Sequence, residues 1–210
     1  MRRLSVGAGA VVLLAIPAVA LGQGVTKPRT ANLDGDPQLE QVIPQEVDGQ
    51  RQVVVADTCN GAPYTKAISS LQEAVLTLGV SNFEDITDRP EIFFDLRSGA
   101  AARIGEIGIV SWEDGPAPGA CPVPRALFRY PSKRTRARPP RGAKAVSSFD
   151  AVLRDATKRY AGKELRLTEY YVDRDDPLCC GSFRRVTLFG YSAGRDLYVR
   201  IKTRVKRIRK

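Results

Sequence analysis

From Leu197 to Lys206 the chain alternates between two kinds of residue without a break. Leu197, Val199, Ile201, Thr203 and Val205 fall on one side, and Tyr198, Arg200, Lys202, Arg204 and Lys206 on the other. Successive side chains of a strand point to opposite faces, so this pattern is that of a β-strand with one basic face. A helix would scatter both sets around its axis. Such a strand needs a partner, and Phe183 to Tyr191, joined to it through Ser192-Ala193-Gly194, supplies one as a hairpin.

Similar signals run through the rest of the chain. Two apolar runs, Leu39–Val47 and Arg51–Ala56, flank Asp48-Gly49, a type I′ hairpin signal. Val53, Val54 and Val55 are consecutive, as in a strand buried on both faces. Strands are also expected from Pro90 to Leu96, Arg103 to Trp112, Arg125 to Tyr130 and Glu164 to Val172. Two segments have helical spacing. Ile68, Leu71, Val75 and Leu78 share one helical face, with Thr65 as N-cap and Gly79 as stop, although Ala74 to Val80 also reads as a strand. Phe149, Val152, Leu153, Ala156 and Tyr160 share another, capped by Ser147 or Ser148 and ended by Gly162. The fold class expected is therefore α+β, mainly antiparallel hairpins with one or two helices. Ile104–Tyr130 and Leu165–Tyr191 match at a constant offset, Leu127 with Leu188 and Leu-Phe-Arg-Tyr with Leu-Phe-Gly-Tyr, which indicates an internal β-hairpin repeat.

The N-terminus carries Arg2 and Arg3, an apolar run from Val6 to Ile16, then Pro17 and small residues at Ala18, Ala20 and Gly22. That is the plan of a secretory signal peptide, with cleavage after Ala20 or Gly22. The alternative, an uncleaved anchor, is disfavoured by the short, proline-broken run; no integral span is expected once the leader is removed. The organisation expected is a signal peptide at 1–22, a β-rich part at 23–130, a basic Pro-rich linker at 131–146, and a helix-plus-hairpin part at 147–210. Secretion or an extracytoplasmic, cell-envelope location follows from the leader. The cysteines, Cys59, Cys121, Cys179 and Cys180, fit it, since an even count in an oxidising compartment reads as disulfides. A bond between the neighbours Cys179 and Cys180 would close a strained ring. Cys59 and Cys121 are therefore each expected to bond to one member of that pair. A Cys₄ metal site is the alternative, but an adjacent pair lacks the usual spacer.

The chemical signal lies at Ala31 to Ile43. Oxygen-bearing side chains occupy every second position, Asn32, Asp34, Asp36, Gln38 and Glu40, just before a strand. A hard cation such as Ca²⁺ takes six to eight oxygens, and a short loop supplies them by turning alternate residues inward. The bland alternative is a turn whose Asx side chains cap their own backbone. The stretch Asn-x-Asp-Gly-Asp-x-x-x-Glu followed by a strand resembles the calcium loop of FG-GAP/VCBS repeats of the integrin α type. The resemblance covers about a dozen residues. It implies Ca²⁺ held by the side chains of Asn32, Asp34, Asp36 and Glu40 and by the Gln38 carbonyl. Pro37 stands where that family has a glycine. Asp88-Arg-Pro-Glu91-Ile-Phe looks like a degenerate second copy, with too few carboxylates to hold an ion alone. Asp176-Pro-Leu-Cys-Cys-Gly-Ser is similar to the Cys-Cys-Pro-Ser stretch of LppP/LprE-type exported lipoproteins, which implies an envelope context.

The chain has no histidine, and its one methionine is the initiator. Ser-His-Asp and Cys-His devices are excluded, as is a His-ligated metal. The function expected is non-catalytic: binding or structural support in an exported protein. The competing class is a hydrolase of envelope glycans using a carboxylate pair among Glu164, Glu169, Asp173, Asp175 and Asp176. The formal charge of +10, to which the leader's two arginines contribute, favours anionic partners. Arg200, Lys202, Arg204 and Lys206 are the polyanion-binding candidates, toward anionic cell-envelope polymers. Another exported protein is the alternative partner. Nucleic acid is disfavoured by thin aromatic interleaving and by export.

Overall fold

The computed structural model describes residues 27–47, 50–69, 74–84, 86, 88–98, 105–132, 135, 138–156, 162–173 and 182–208. The proposed leader, the Asp48-Gly49 turn and the pair Cys179-Cys180 lie outside them. The described residues form strands and no helix, so the fold is all-β rather than α+β.

The described residues form twelve strands, in order: β1 (Arg29–Ala31), β2 (Glu40–Val47), β3 (Gln50–Cys59), β4 (Ala62–Ala67), β5 (Ala74–Ser81), β6 (Glu91–Ser98), β7 (Gly105–Glu113), β8 (Val123–Tyr130), β9 (Ala143–Asp155), β10 (Lys163–Asp173), β11 (Phe183–Ser192) and β12 (Leu197–Arg207). They make three four-stranded antiparallel meanders, β1 to β4, β5 to β8 and β9 to β12. Among the described residues no helix is long and apolar enough to cross a membrane.

Where they are described, both segments with helical spacing form strands, β4 and β5 in the first and β9 in the second; Leu71 and Tyr160 lie outside the described residues. In β9, Phe149, Ala151 and Leu153 pack into one core while Val152, between them, is half exposed. Phe149 and Leu153 satisfy period two as well as a helical spacing, and pairing with β10 along the whole strand decides for the former. The linker accordingly ends by 142, and its last residues belong to β9. In the earlier segment, Asn60 (φ 52°) and Gly61 (φ 74°) turn β3 back into β4, with Cys59 opposite Ala62. That is the conformation an Asn-Gly pair adopts at a type I′ turn. The chain then re-enters as β5.

The second sheet is covered on both faces. Ile92, Phe94, Leu96, Val110 and Trp112 meet Val42, Val53 and Val55 of the first sheet and Ile68 just after β4. Phe93, Ile107, Ile109, Phe128 and Tyr130 meet Phe149, Leu165, Leu167 and Phe189 of the third. Alternate residues of β6 therefore serve different cores, which is why Ile92 through Leu96 read as a continuous buried run. Val53, Val54 and Val55 are all buried, as their run implied. At Gly108 an added Cβ would lie 2.2 Å from the Phe94 ring, so the close contact of β6 and β7 requires glycine.

One further expectation is corrected. Cys59 is bonded to Cys121, with a Cα–Cα distance of 5.4 Å, so neither can pair with Cys179 or Cys180. The end of β3 and the β7–β8 connection meet there, and Asn60 Nδ2 donates to the Gly119 carbonyl at 3.1 Å beside the bridge. The matched segments are both antiparallel hairpins, β7–β8 and β10–β11, and they take different places in their sheets, third and fourth strands against second and third. The unit that recurs in space is the four-stranded meander.

Candidate metal centre

The site forms where β1 gives way to β2. Glu40 is the first residue of β2, and the ladder that pairs Gln41 with Ala56 sets Glu40 and Asp57 on one face, the face of Val42 and Val55. That face points into the core, so both carboxylates are carried inward by strand alternation. Asp34 comes to the same place from the loop. One carboxylate oxygen from each of Asp34, Glu40 and Asp57 lies within 4.8 Å of the others. Oxygens around a single Ca²⁺, bound at roughly 2.4 Å, can be at most about 5 Å apart, so the trio fits one ion.

The loop holds itself in shape. Gly35 N donates to Asn32 Oδ1 at 2.6 Å, Asp36 N to Asp34 Oδ1 at 3.1 Å and Gln38 N to Asp36 Oδ1 at 2.6 Å. Asn32 Nδ2 donates to the Asp36 carbonyl. These are the Asx caps of a tight turn. The positive φ is taken at Gly35 (88°), two residues before Pro37, and a side chain there would press on the Arg89 guanidinium 3.1 Å away. Of the five residues first singled out, Asp34 and Glu40 come together in the carboxylate group. Asn32 and Asp36 are caps, and Gln38 is exposed. Asp57 was not anticipated. Its signal was an acid at the end of a valine run, in phase with Val53 and Val55.

Glu40 is the decisive member. It is fully buried; its Oε2 accepts from Leu33 N, and its Oε1 has no hydrogen-bond partner. Burial pushes its pKa up to about 7, and the charges of Asp34 and Asp57 add to the effect while the Leu33 amide opposes it. Burial also raises Asp34. Asp57 is held in place by Thr58 N at 2.5 Å and by Trp112 Nε1 from the second sheet at 3.2 Å. A buried carboxylate oxygen left bare beside two other acids is costly. A cation removes that cost.

A related device opens the second sheet. Glu91, the first residue of β6, accepts from Phe83 N and, at 3.4 Å, from Glu84 N. Burial, with the Glu84 charge adding, pushes it up to about 7. Among the described residues no comparable trio gathers around it. Glu40 and Glu91 both hold a proton more tightly in the folded chain than in the unfolded one. Stability therefore falls as pH rises from near 4.5 through about 7. In chelator, the melting temperature is expected to drop by several degrees between pH 5 and pH 8. Glu91→Gln, which keeps an acceptor oxygen and removes the charge, is expected to flatten that fall. Differential scanning fluorimetry across the range checks both; a melting temperature that rises over the window refutes them.

The remaining candidates are placed as follows. Glu164 pairs with Arg154 at 2.8 Å, Glu169 with Arg185 at 2.6 Å and Asp173 with Arg207 at 3.1 Å. Asp175 and Asp176 lie outside the described residues. A register shift between Leu188 and Phe189 divides the basic set. Arg200 stands opposite Phe189, which is buried in the second core, whereas Lys202, Arg204 and Lys206 stand opposite Leu188, Val186 and Arg184 on the outer face. The alternation of β12 is broken there by one residue, as a β-bulge does. No family model matches this chain, and neither a curated protein nor a solved structure matches it.

Proposed function

We propose that this is an exported, non-catalytic binding protein whose first sheet is fixed by a Ca²⁺ ion held by Asp34, Glu40 and Asp57. The observation that carries this is the bare, fully buried Glu40 Oε1 between two other carboxylates. The likeness of Asn32–Glu40 to the FG-GAP/VCBS calcium loop supports it, as does the recurrence of four-stranded meanders. The Cys59–Cys121 bond supports export, because disulfides persist mainly outside the cytoplasm. The arginine partners of Glu164, Glu169 and Asp173 favour a binding role over the carboxylate hydrolase. Anionic envelope polymers are the partner class that the positive charge favours.

Three carboxylates complete only part of a Ca²⁺ shell, with water or carbonyl oxygens taking the rest. The affinity expected is accordingly in the weak extracellular range of about 10⁻⁴–10⁻³ M. A ligand at about a hundredfold its Kd stabilises the native state by about 2.7 kcal/mol. Thermal unfolding in 10 mM-range Ca²⁺ against chelator is therefore expected to show a rise of roughly 5–10 °C. Asp57→Ala is expected to abolish the rise. Asp36→Ala, which removes a cap, is expected to lower the melting temperature in both buffers and keep the Ca²⁺ increment. A wild-type melting temperature indifferent to Ca²⁺ would sink the proposal.

A further inference from the structure

Among the described residues no sheet packs on the outer face of the third sheet, and register sets its side chains in rows. Across β10, β11 and β12, Arg166, Leu188 and Lys202 stand abreast, then Thr168, Val186 and Arg204, then Tyr170, Arg184 and Lys206. The middle strand thus supplies an apolar floor, Val186 and Leu188. Lys202, Arg204 and Lys206 form one wall, and Arg166, with Arg154 from β9, forms the other. Together these residues line a groove of about 460 Å³.

From this arrangement we infer that the groove along β11 binds a single extended chain of a phosphodiester polymer. The inference deepens the proposed binding role by naming its surface and ligand chemistry, and it rests on that reading. Alternate residues of a strand are about 7 Å apart, and β10 and β12 flank β11 about 10 Å apart. One linear chain fits between walls at that separation, with cations repeating along its length. The arginine fork takes a phosphodiester's two free oxygens as a pair, and lysine answers as a point charge. The apolar floor accommodates the carbon atoms between phosphates. An anionic bilayer asks for the opposite relief, with apolar side chains protruding beyond the cations. Two acids adjoin the groove: Glu164, paired with Arg154 at 2.8 Å, and Asp150 on β9, 3.8 Å from Arg97. Arg97 answers Asp150 from outside the groove and Arg154 is offset by Glu164, so the other five basic residues, Arg166, Arg184, Lys202, Arg204 and Lys206, keep the groove positive.

The test is titration of the oxidised full chain with poly(glycerol phosphate), in Ca²⁺ and again in chelator. Binding is expected to weaken with salt at a log–log slope of about −4, as for five or six neutralised phosphates on a single strand. The triple variant Lys202→Glu, Arg204→Glu, Lys206→Glu is expected to lose at least tenfold in affinity. Arg29→Glu, Lys66→Glu, Arg195→Glu makes the same change in net charge at exposed positions elsewhere and is expected to stay within about twofold. If the first triple does not fold, Arg166→Glu on the other wall carries the test, with a loss of about fivefold expected. Equal losses from both triples, no binding at all, or binding as tight to polygalacturonate or to phosphatidylglycerol vesicles would each overturn the inference. The Ca²⁺ increment in melting temperature is read on the same samples. If it persists without polymer binding, the groove is wrong and the metal reading stands; the reverse result separates them the other way.

Discussion

Glu169→Ala is expected to be the most damaging single substitution in the third sheet, at about 3–5 kcal/mol. Glu169 and Arg185 are directly opposed across β10 and β11, and both are buried. Arg185 Nε donates to Glu169 Oε2 at 2.6 Å and Nη2 to Oε1 at 2.7 Å. The Tyr130 and Tyr171 hydroxyls donate to the same Oε1 at 2.9 and 3.0 Å. Arg185 Nη1 reaches the Arg138 carbonyl at 2.7 Å, and its guanidinium lies 4.8 Å over the Tyr171 ring. Tyr130 ends β8, so this network joins the second sheet, the third sheet and the connection between them. Removing the carboxylate strands a guanidinium away from water, and that desolvation is the main penalty. Removing Arg185 as well, as Met, is expected to cost less than the sum of the two single changes, with a coupling of about 2 kcal/mol or more. Urea denaturation of the four proteins in the cycle measures it. Additive losses would show that the pair acts as two independent packing groups.

The second large effect is expected from the double variant Cys59→Ser, Cys121→Ser. The bridge spans 62 residues, and closing a loop of that size removes about 4 kcal/mol of unfolded-state entropy. The melting temperature is expected to fall by roughly 10 °C, and thiol reduction of the wild type is expected to give the same midpoint. The bond lies two residues beyond Asp57, so it also anchors the strand end that carries a carboxylate of the metal centre. Scanning calorimetry of oxidised, reduced and substituted protein decides the matter. A loss under about 1 kcal/mol would mean that the hairpin contacts hold the ends together unaided.

Much of the strand content was legible from local pattern: β12 alternates on either side of its bulge, and the consecutive Val53–Val55 run marks a strand buried on both faces. Two signals were misread. Phe149 and Leu153 fit helical and strand spacing alike, and only the neighbouring β10 resolves the ambiguity. Asn60-Gly61 was a hairpin turn in plain view, but Ile68 to Leu78 drew attention to a helix instead. The disulfide could not be read from spacing, because which loops meet is decided by how sheets stack, and local sequence does not encode that. The metal centre was half legible. Its loop members follow from oxygen spacing, whereas Asp57 arrives through cross-strand register. The basic face was legible in kind, but the bulge beside Phe189 turns Arg200 away from Lys202, Arg204 and Lys206, and a one-residue register slip leaves no mark in the residue types.

The middle sheet lends its two faces to different cores, and this changes what the Pro-rich, arginine-dense connection after Tyr130 means. By composition it divides the chain into halves. In energetic terms it divides nothing, since Phe93, Ile107, Ile109 and Phe128 on one side of it are roofed by Leu165, Leu167 and Phe189 on the other. A protease that nicks the connection would leave two fragments still bound as one particle. Expressing residues before it alone would present an unroofed aromatic sheet to solvent, an adhesive surface rather than an autonomous domain.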